Sequence, residues 1–225
     1  MLLALVALTL TSCGDKDSEG KSRITYYPTI ELEGETYMVI DKGSAYVEPG
    51  YTSLLNGEDV SDKVVISGSV NTGKSGIYTL TYNSLKNEDG FGSSAKRTVV
   101  VLDPNDPVEG FYATDANGYR VREGAQVAYG ASYEVLVIGN GDGTYDVDDL
   151  LGGWYRDRAG YGSNYALSGT LALADDGTVT CIDSHVIGWG DSHDDCSGTF
   201  DFATSTFNIT VVYANMDFVQ TWVKE

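Results

Sequence analysis

Basic residues, long apolar runs and helix-forming stretches are all scarce in this chain of 225 residues. It has 14 Lys and Arg against 33 Asp and Glu, and this net charge of −19 repels the phosphate backbone of nucleic acids. Beyond the first twelve residues, no apolar run approaches the ~20 residues that a membrane-spanning helix needs. Long stretches rich in Leu, Ala, Glu and Lys are also missing. These absences argue against nucleic acid as a partner and against a helical fold.

Catalytic motifs are equally sparse. The sequence has no Gly-x-Ser-x-Gly turn and leaves no free thiol for a Cys-His pair, because its three cysteines have other expected roles. Carboxylates are plentiful, so a glycosidase pair stays open, but the distance between two carboxylates depends on the fold. We therefore expect a non-catalytic protein.

Short runs of Val, Ile, Thr, Tyr and Phe alternate with clusters of Gly, Asn and Asp throughout the chain, which also has 27 Gly and 16 Tyr. This pattern predicts an all-β protein. Within it, 175–177 (Asp-Asp-Gly) and 203–205 are expected to form turns between strands. The candidate strands are 29–33, 36–41, 64–67, 77–82, 96–102, 132–138, 167–174, 178–182, 198–202, 206–213 and 218–223.

The first twelve residues are uncharged and apolar, as in a signal peptide. The residues Leu10-Thr11-Ser12-Cys13 then resemble the lipobox of bacterial lipoproteins, which implies a lipid on Cys13 and a membrane anchor. The segment 13–23 is a polar tether, and its acidic run resembles the surface-export signal of Bacteroidetes-type lipoproteins. This resemblance implies attachment to the outer membrane, facing the cell exterior.

The remaining cysteines, Cys181 and Cys196, form a candidate disulfide in an oxidising compartment. Each is expected to share a strand face with core residues, Cys181 with Val179 and Cys196 with Phe200 and Phe202. The alternative is a pair of free thiols that are buried as small apolar side chains.

The linker at 104–107 contains two prolines within a run of turn formers, and it divides the chain into segments 24–103 and 108–225. In the first segment, Tyr78, Leu80 and Tyr82 alternate with threonines, as in a half-buried strand. The pattern of 28–30, 43–51, 76–82 and 97–101 resembles the bacterial immunoglobulin-like domains of surface proteins. This resemblance implies an Ig-like β-sandwich with a spacer or adhesion role.

The second segment is expected to be another antiparallel β domain, either a sandwich or barrel-like. Its residues 152–155, 174–177 and 189–190 and its terminal aromatic strand resemble the C-terminal β domain that follows such Ig-like modules in Bacteroidetes-type surface lipoproteins. That resemblance implies a fold and a location at the cell surface, and it leaves the activity open.

Two clusters in the second segment could hold a metal ion. Asn140, Asp142, Asp146 and Asp149 stand near the ligand positions of a calcium loop, although Ile138 occupies the first ligand position and cannot coordinate. The alternative is a Gly- and Asp-rich turn between two strands. His185 and His193 lie close to three aspartates, as in some zinc sites, but their spacing also suits a solvated acidic loop.

Aromatic residues crowd one region of the second segment: Trp154, Tyr155, Tyr161, Tyr165 and Trp189. Exposed rings beside hydrogen-bonding side chains stack on sugars, whereas buried rings would only pack the core. Our leading hypothesis is a glycan-binding accessory protein of a polysaccharide-uptake system, with these five rings as its platform and a neutral glycan as its ligand. A surface module for adhesion to a protein partner is the alternative, and a glycoside hydrolase is third.

Overall fold

The structure is a computed structural model that describes residues 24–225. The predicted leader at 1–12, the predicted lipid-attachment residue Cys13 and the predicted tether at 13–23 therefore lie outside the described residues. Half of the chain is in strands and 5% is helical, so the all-β prediction is confirmed. Every helix in the described range is too short or too polar to cross a membrane.

The N-terminal domain contains two sheets, in the orders β1-β3-β4 and β2-β7-β6-β5. Strands β2 and β7 are parallel, and the other pairs are antiparallel. The strands are β1 (Thr29–Leu32), β2 (Tyr37–Asp41), β3 (Tyr51–Leu55), β4 (Glu58–Asp59), β5 (Val65–Ser67), β6 (Gly76–Asn83) and β7 (Ser94–Leu102). Leu80 and Tyr82 of β6 are buried, and the Tyr82 ring lies 5.3 Å from that of Tyr51 in the other sheet. These contacts form the expected Ig-like sandwich.

A buried arginine ties the connections of this domain to strand β7. Arg97 is fully buried, and its guanidinium pairs with the carboxylate of Glu48 at 3.1 Å. The same guanidinium donates hydrogen bonds to the backbone carbonyls of Glu33, Glu35 and Gly50. Because a buried charge needs such a complete set of partners, Arg97 holds in place the segment that follows β1 and the segment that leads into β3, which meet at one end of this strand pair.

The C-terminal domain is a closed antiparallel barrel, which decides between the two predicted alternatives. Its eight wall strands follow the ring order β8-β11-β12-β13-β14-β15-β16-β17, and β17 pairs with β8 to close the ring. An additional hairpin, β9-β10, pairs with β17. The strands are β8 (Gly110–Thr114), β9 (Tyr119–Arg122), β10 (Ala125–Ala128), β11 (Glu134–Gly139), β12 (Thr144–Val147), β13 (Leu167–Leu173), β14 (Thr178–Val186), β15 (Asp195–Asp201), β16 (Thr206–Tyr213) and β17 (Met216–Lys224).

The barrel interior is filled by its own large side chains. Along β16, Phe207, Ile209, Val211 and Tyr213 point inward and are nearly inaccessible, while the residues between them face outward. The largest interior side chain, Trp222 of β17, is fully buried. This alternation is the period of two expected for the wall of a closed sheet.

Two features orient the barrel. The connections 148–166, 187–194 and 214–215 and the β9-β10 hairpin share one end of the barrel, which we term the upper end. The Ig-like domain instead packs on the outside of the wall, where Val100 of β7 is buried together with Leu136 and Ile138 of β11. Strands β14 and β15 lie on the far side of the ring from β8 and β11.

The disulfide forms between two neighbouring strands. Cys181 of β14 and Cys196 of β15 are bonded, with their Cα atoms 5.4 Å apart. The register Thr180↔Ser197 brings them opposite each other. Phe202 departs from its expected place in the core, since it follows the end of β15 in a turn and is 46% exposed.

Candidate ligand-binding site

An aromatic cluster lies at the upper end of the barrel and consists of Tyr155, Tyr161, Tyr165, Trp189 and Tyr213. The first three belong to the long connection 148–166, which contains a π-helix at Trp154–Arg158 and a 3-10 helix at Ser163–Tyr165. Trp189 comes from the connection between β14 and β15, and Tyr213 is the last residue of β16. Three separate segments therefore build the cluster, because their strands all end at the same end of the barrel.

Trp189 is the centre of this cluster. Its ring centroid lies 4.8 Å from that of Tyr155 and 4.9 Å from that of Tyr165, with both pairs steeply inclined. Tyr213 stacks with it at 6.3 Å and an interplanar angle of 25°. Tyr161 lies 5.5 Å from Tyr165 and 6.2 Å from Trp189.

The exposure of these rings is graded from the interior to the surface. Tyr213 is buried, Tyr155 and Tyr165 are half-buried, Trp189 is 44% exposed and Tyr161 is 55% exposed. Buried rings thus support two exposed ones, and the exposed aromatic surface is held rigidly on packed neighbours. Such a surface is suited to binding a ligand rather than to core packing alone.

A glycine in the β14–β15 connection allows Trp189 to approach the other rings. A Cβ atom placed on Gly188 would lie 2.5 Å from the Tyr165 ring, which is far too close for any side chain. The Gly188 amide also donates to the Asn164 carbonyl at 2.7 Å. The two connections are therefore in direct contact, and this contact requires a glycine at position 188.

Trp154 does not belong to the exposed platform, and its inclusion in the prediction is wrong. Its side chain is only 3% exposed and packs edge-on against Tyr129 at 4.8 Å and Phe218 at 5.7 Å. The guanidinium groups of Arg120 and Arg158 lie 4.9 and 4.2 Å from its ring centre. The chain turns inward at Gly152 and Gly153, and this turn carries Trp154 into the barrel while Tyr155 faces the surface.

The sequence predicted neither Tyr213 nor Arg120 as part of this site. Tyr213 donates a hydrogen bond to the Asp191 carboxylate at 2.8 Å. The pKa of the Tyr213 hydroxyl is raised, mainly by burial and also by the hydrogen bond to the Asp191 carboxylate and its negative charge. The signal available in the sequence was weak, because Tyr213 reads as an ordinary core position at the end of an alternating strand.

The four predicted calcium ligands are divided between a hairpin and the interior. Asn140 and Asp142 lie in the β11-β12 turn, where Asp142 accepts hydrogen bonds from Thr144, and Asn140 donates to Asp146 at 3.1 Å. Asp149 is fully buried and accepts hydrogen bonds from backbone amides. Its carboxylate oxygens are thus occupied by the protein itself.

The two histidines lie in and beside strand β14. His193 shares a 2.7 Å hydrogen bond with the Ser184 hydroxyl, and His185 is exposed. Across residues 24–225, His, Cys, Asp and Glu form no group of three or more that could hold a metal ion.

Comparisons with known proteins match both domains. A family described as the Ig-like domain of bacterial surface proteins matches residues 30–101, and a family of C-terminal domains matches residues 102–224. No curated protein matches the chain in sequence.

Among solved structures, the chain is similar to the lipoprotein BT2262 from Bacteroides thetaiotaomicron. The two are 40% identical with a TM-score of 0.72, and the match covers 88% of this chain and 100% of that one. The resemblance noted in the sequence is therefore confirmed. This chain belongs to the family of bacterial surface lipoproteins in which an Ig-like domain precedes this C-terminal domain.

Proposed function

We propose that this lipoprotein is a non-catalytic glycan-binding accessory of a polysaccharide-uptake system, anchored in the outer membrane and facing the cell exterior. The observation that carries the proposal is the aromatic cluster, in which exposed Trp189 and Tyr161 rest on half-buried Tyr155 and Tyr165. Stacking of a sugar on such rings removes apolar surface from water without requiring a deep cavity. The exposed side chain of Asn164, which directly precedes Tyr165, is a polar group for sugar hydroxyls.

The filled barrel favours binding at its surface. Trp222, Tyr112 and Phe207 occupy the interior and are no more than 1% exposed. A ligand that entered the barrel would have to displace these rings, whereas the upper end already presents aromatic surface. A glycan chain, which lies across a surface, suits this arrangement better than a small apolar molecule, which needs an enclosed site.

A protein partner is the second candidate, and an edge strand of the Ig-like domain favours it. Strand β5 lies at the edge of its sheet, and its residues Val65 and Ile66 are 65% and 40% exposed. An apolar edge strand can pair with an extended segment of another chain. This surface lies on the other domain, so mutations can separate the two candidates.

Glycan binding is tested by titrating the chain from residue 24 with a broad panel of soluble polysaccharides. Replacement of Trp189 by Ala removes the central ring and should weaken binding roughly tenfold or more, as expected when about 2 kcal/mol of ring burial is lost. Phe202→Ala is the matched control, because Phe202 has similar exposure at the opposite end of the same barrel. Equal affinities for the wild type and Trp189→Ala, or no bound glycan at all, would contradict the proposal and favour the protein partner.

A further inference from the structure

Positive charge is concentrated at one place in the C-terminal domain. Residues 103–225 contain 20 Asp and Glu but only five Lys and Arg. One of these five, Lys224, lies at the lower end, where its ammonium group donates to the carbonyls of Asp106 and Pro107. The other four belong to segments of the upper end: Arg120, Arg122, Arg156 and Arg158. The arginines therefore share the end of the barrel that carries the aromatic cluster.

Two of these arginines point toward the cluster from the β9-β10 hairpin. Arg120 and Arg122 are two residues apart on β9 and so share one face of the strand. Arg120 contacts the Trp154 ring, and Trp154 directly precedes Tyr155. Burial raises the pKa of the Tyr155 hydroxyl, and the positive charges of Arg120 and Arg122 oppose this rise. The Arg120 guanidinium therefore lies against Trp154, next to the aromatic cluster, and Arg122 stands beside Arg120 on the same face of β9.

The nearby carboxylates are already engaged elsewhere. Asp148 and Asp157 both pair with Arg156, at 2.6 and 2.8 Å. Asp191 accepts the hydrogen bond of Tyr213. Glu123 follows Arg122 in the hairpin turn, and within the described range neither Arg120 nor Arg122 forms an ion pair with it or with any other carboxylate.

Arg120 also has an unused donor. Its Nε–H group is buried and has no hydrogen-bond partner in the structure, and the side chain of Arg122 is exposed. A buried donor without an acceptor is costly, and a charged one more so. Since guanidinium groups bind carboxylates through two parallel hydrogen bonds, the exposed guanidinium of Arg122 is suited to a planar anion, and Arg120 beside it adds positive charge.

We infer that the aromatic cluster and Arg120 and Arg122 together form a site for a glycan that carries single carboxylate groups, that is, a uronic acid within an otherwise neutral chain. The rings stack on the sugar, and the arginines bind its carboxylate. The strongly negative remainder of the domain repels polyanions, so the site selects isolated carboxylates over densely charged or sulfated polymers. This inference rests on the proposed glycan binding and names its substrate class.

The test uses pairs of oligosaccharides that differ only at the carboxylate. Short oligosaccharides that contain one glucuronate, galacturonate or mannuronate unit are titrated into the chain from residue 24, each beside its neutral methyl ester. We expect at least one free acid to bind roughly tenfold or more tightly than its ester, as for one charge-assisted hydrogen-bonded pair. This preference should weaken as salt is added and screens the charges.

Variants then assign the preference to the arginines. Arg122→Gln should abolish the difference between acid and ester and retain most of the affinity for the ester, whereas Trp189→Ala should weaken both. Arg120→Gln should act like Arg122→Gln, and its thermal unfolding is measured because Arg120 also contacts Trp154. Lys96→Gln is the charge-matched control, since Lys96 is exposed on the Ig-like domain.

The outcomes separate the inference from the proposed function. If the wild type binds acid and ester equally and Trp189→Ala binds neither, the carboxylate inference is overturned and the proposed glycan binding is supported. Binding of a glutamate-rich peptide but of none of the sugars overturns both and favours a protein partner. Preference for polygalacturonate over the single-uronate oligosaccharides contradicts the expected selection against polyanions and overturns the inference.

Discussion

Asp149 provides the most direct test of the reasoning about the upper end of the barrel. Its carboxylate is fully buried and accepts three backbone hydrogen bonds, from Leu151 at 3.0 Å, Gly153 at 3.1 Å and Leu167 at 3.2 Å. The first two amides belong to the turn that leads to Trp154, and the third begins strand β13. One side chain thus holds both ends of the connection that carries most of the aromatic cluster.

Replacement of Asp149 by Ala leaves these three buried amides without an acceptor. At about 1–3 kcal/mol for each unsatisfied group, with partial relaxation, we expect a loss of about 3–6 kcal/mol in the free energy of unfolding. Asp149→Asn keeps Oδ1 as the acceptor for Leu151 and Leu167 but turns an amide donor toward Gly153. It should therefore cost less, about 1–3 kcal/mol.

Urea unfolding followed by tryptophan fluorescence measures this order, because Trp154 and Trp222 are buried and report on the barrel. The reasoning is refuted if Asp149→Ala unfolds within about 1 kcal/mol of the wild type, or if Asp149→Asn is the less stable variant. The same unfolding experiment should be run with calcium and with chelator. If calcium strongly raises the free energy of unfolding and Asp149→Ala removes this effect, the carboxylate binds a metal ion instead.

Three further predictions follow from the structure. Burial raises the pKa of Asp149 to about 6 in the folded protein, whereas the unfolded chain releases this proton near pH 4. The contribution of this group to the free energy of unfolding therefore falls as the pH rises from about 4 to about 6. In urea unfolding, Asp149→Asn should cost about 2 kcal/mol more at about pH 4.5 than at about pH 7. The bond between Cys181 and Cys196 closes a loop of 15 residues. Replacing both cysteines by Ala should therefore lower the free energy of unfolding by about 3 kcal/mol. Equal urea midpoints for the wild type with and without reductant would contradict this prediction. Leu136 is buried against Val100 of the Ig-like domain, so Leu136→Ser should uncouple the domains. Calorimetry should then resolve two unfolding transitions for the variant, whereas we expect one for the wild type.

Strong alternation made the long strands readable from sequence. Strands β6 and β16 were predicted nearly to their observed bounds, because apolar and polar residues alternate along them. Strand β7 was also predicted nearly to its bounds, and it ends in an apolar run at 99–102. Strands β3, β4, β8, β9, β10 and β12 were missed, and each spans only two to five residues. In β12 the aspartates that suggested a calcium loop stand on the outward face or beyond the end of the strand.

The pairing and register of the strands could not be predicted from the sequence. They determine both the disulfide and the closure of the barrel. The cysteines were recognised as a candidate pair, but only the pairing of β14 with β15 brings them opposite each other. In the same way, a sandwich and a barrel share one alternating pattern. The pairing of β17 with β8, more than 100 residues apart, distinguishes them.

The sequence by itself determined the all-β class, the two kinds of domain and the aromatic residues near the site, because these depend on local periodicity, composition and motif. Only the tertiary structure decided which rings are exposed. Trp154 and Tyr155 are neighbours in the chain, yet the turn at Gly152 and Gly153 places the first in the interior and the second at the surface. The tertiary structure also brought Tyr213 and Arg120 to the cluster from strands that are distant in sequence, since the register decides which strand ends meet.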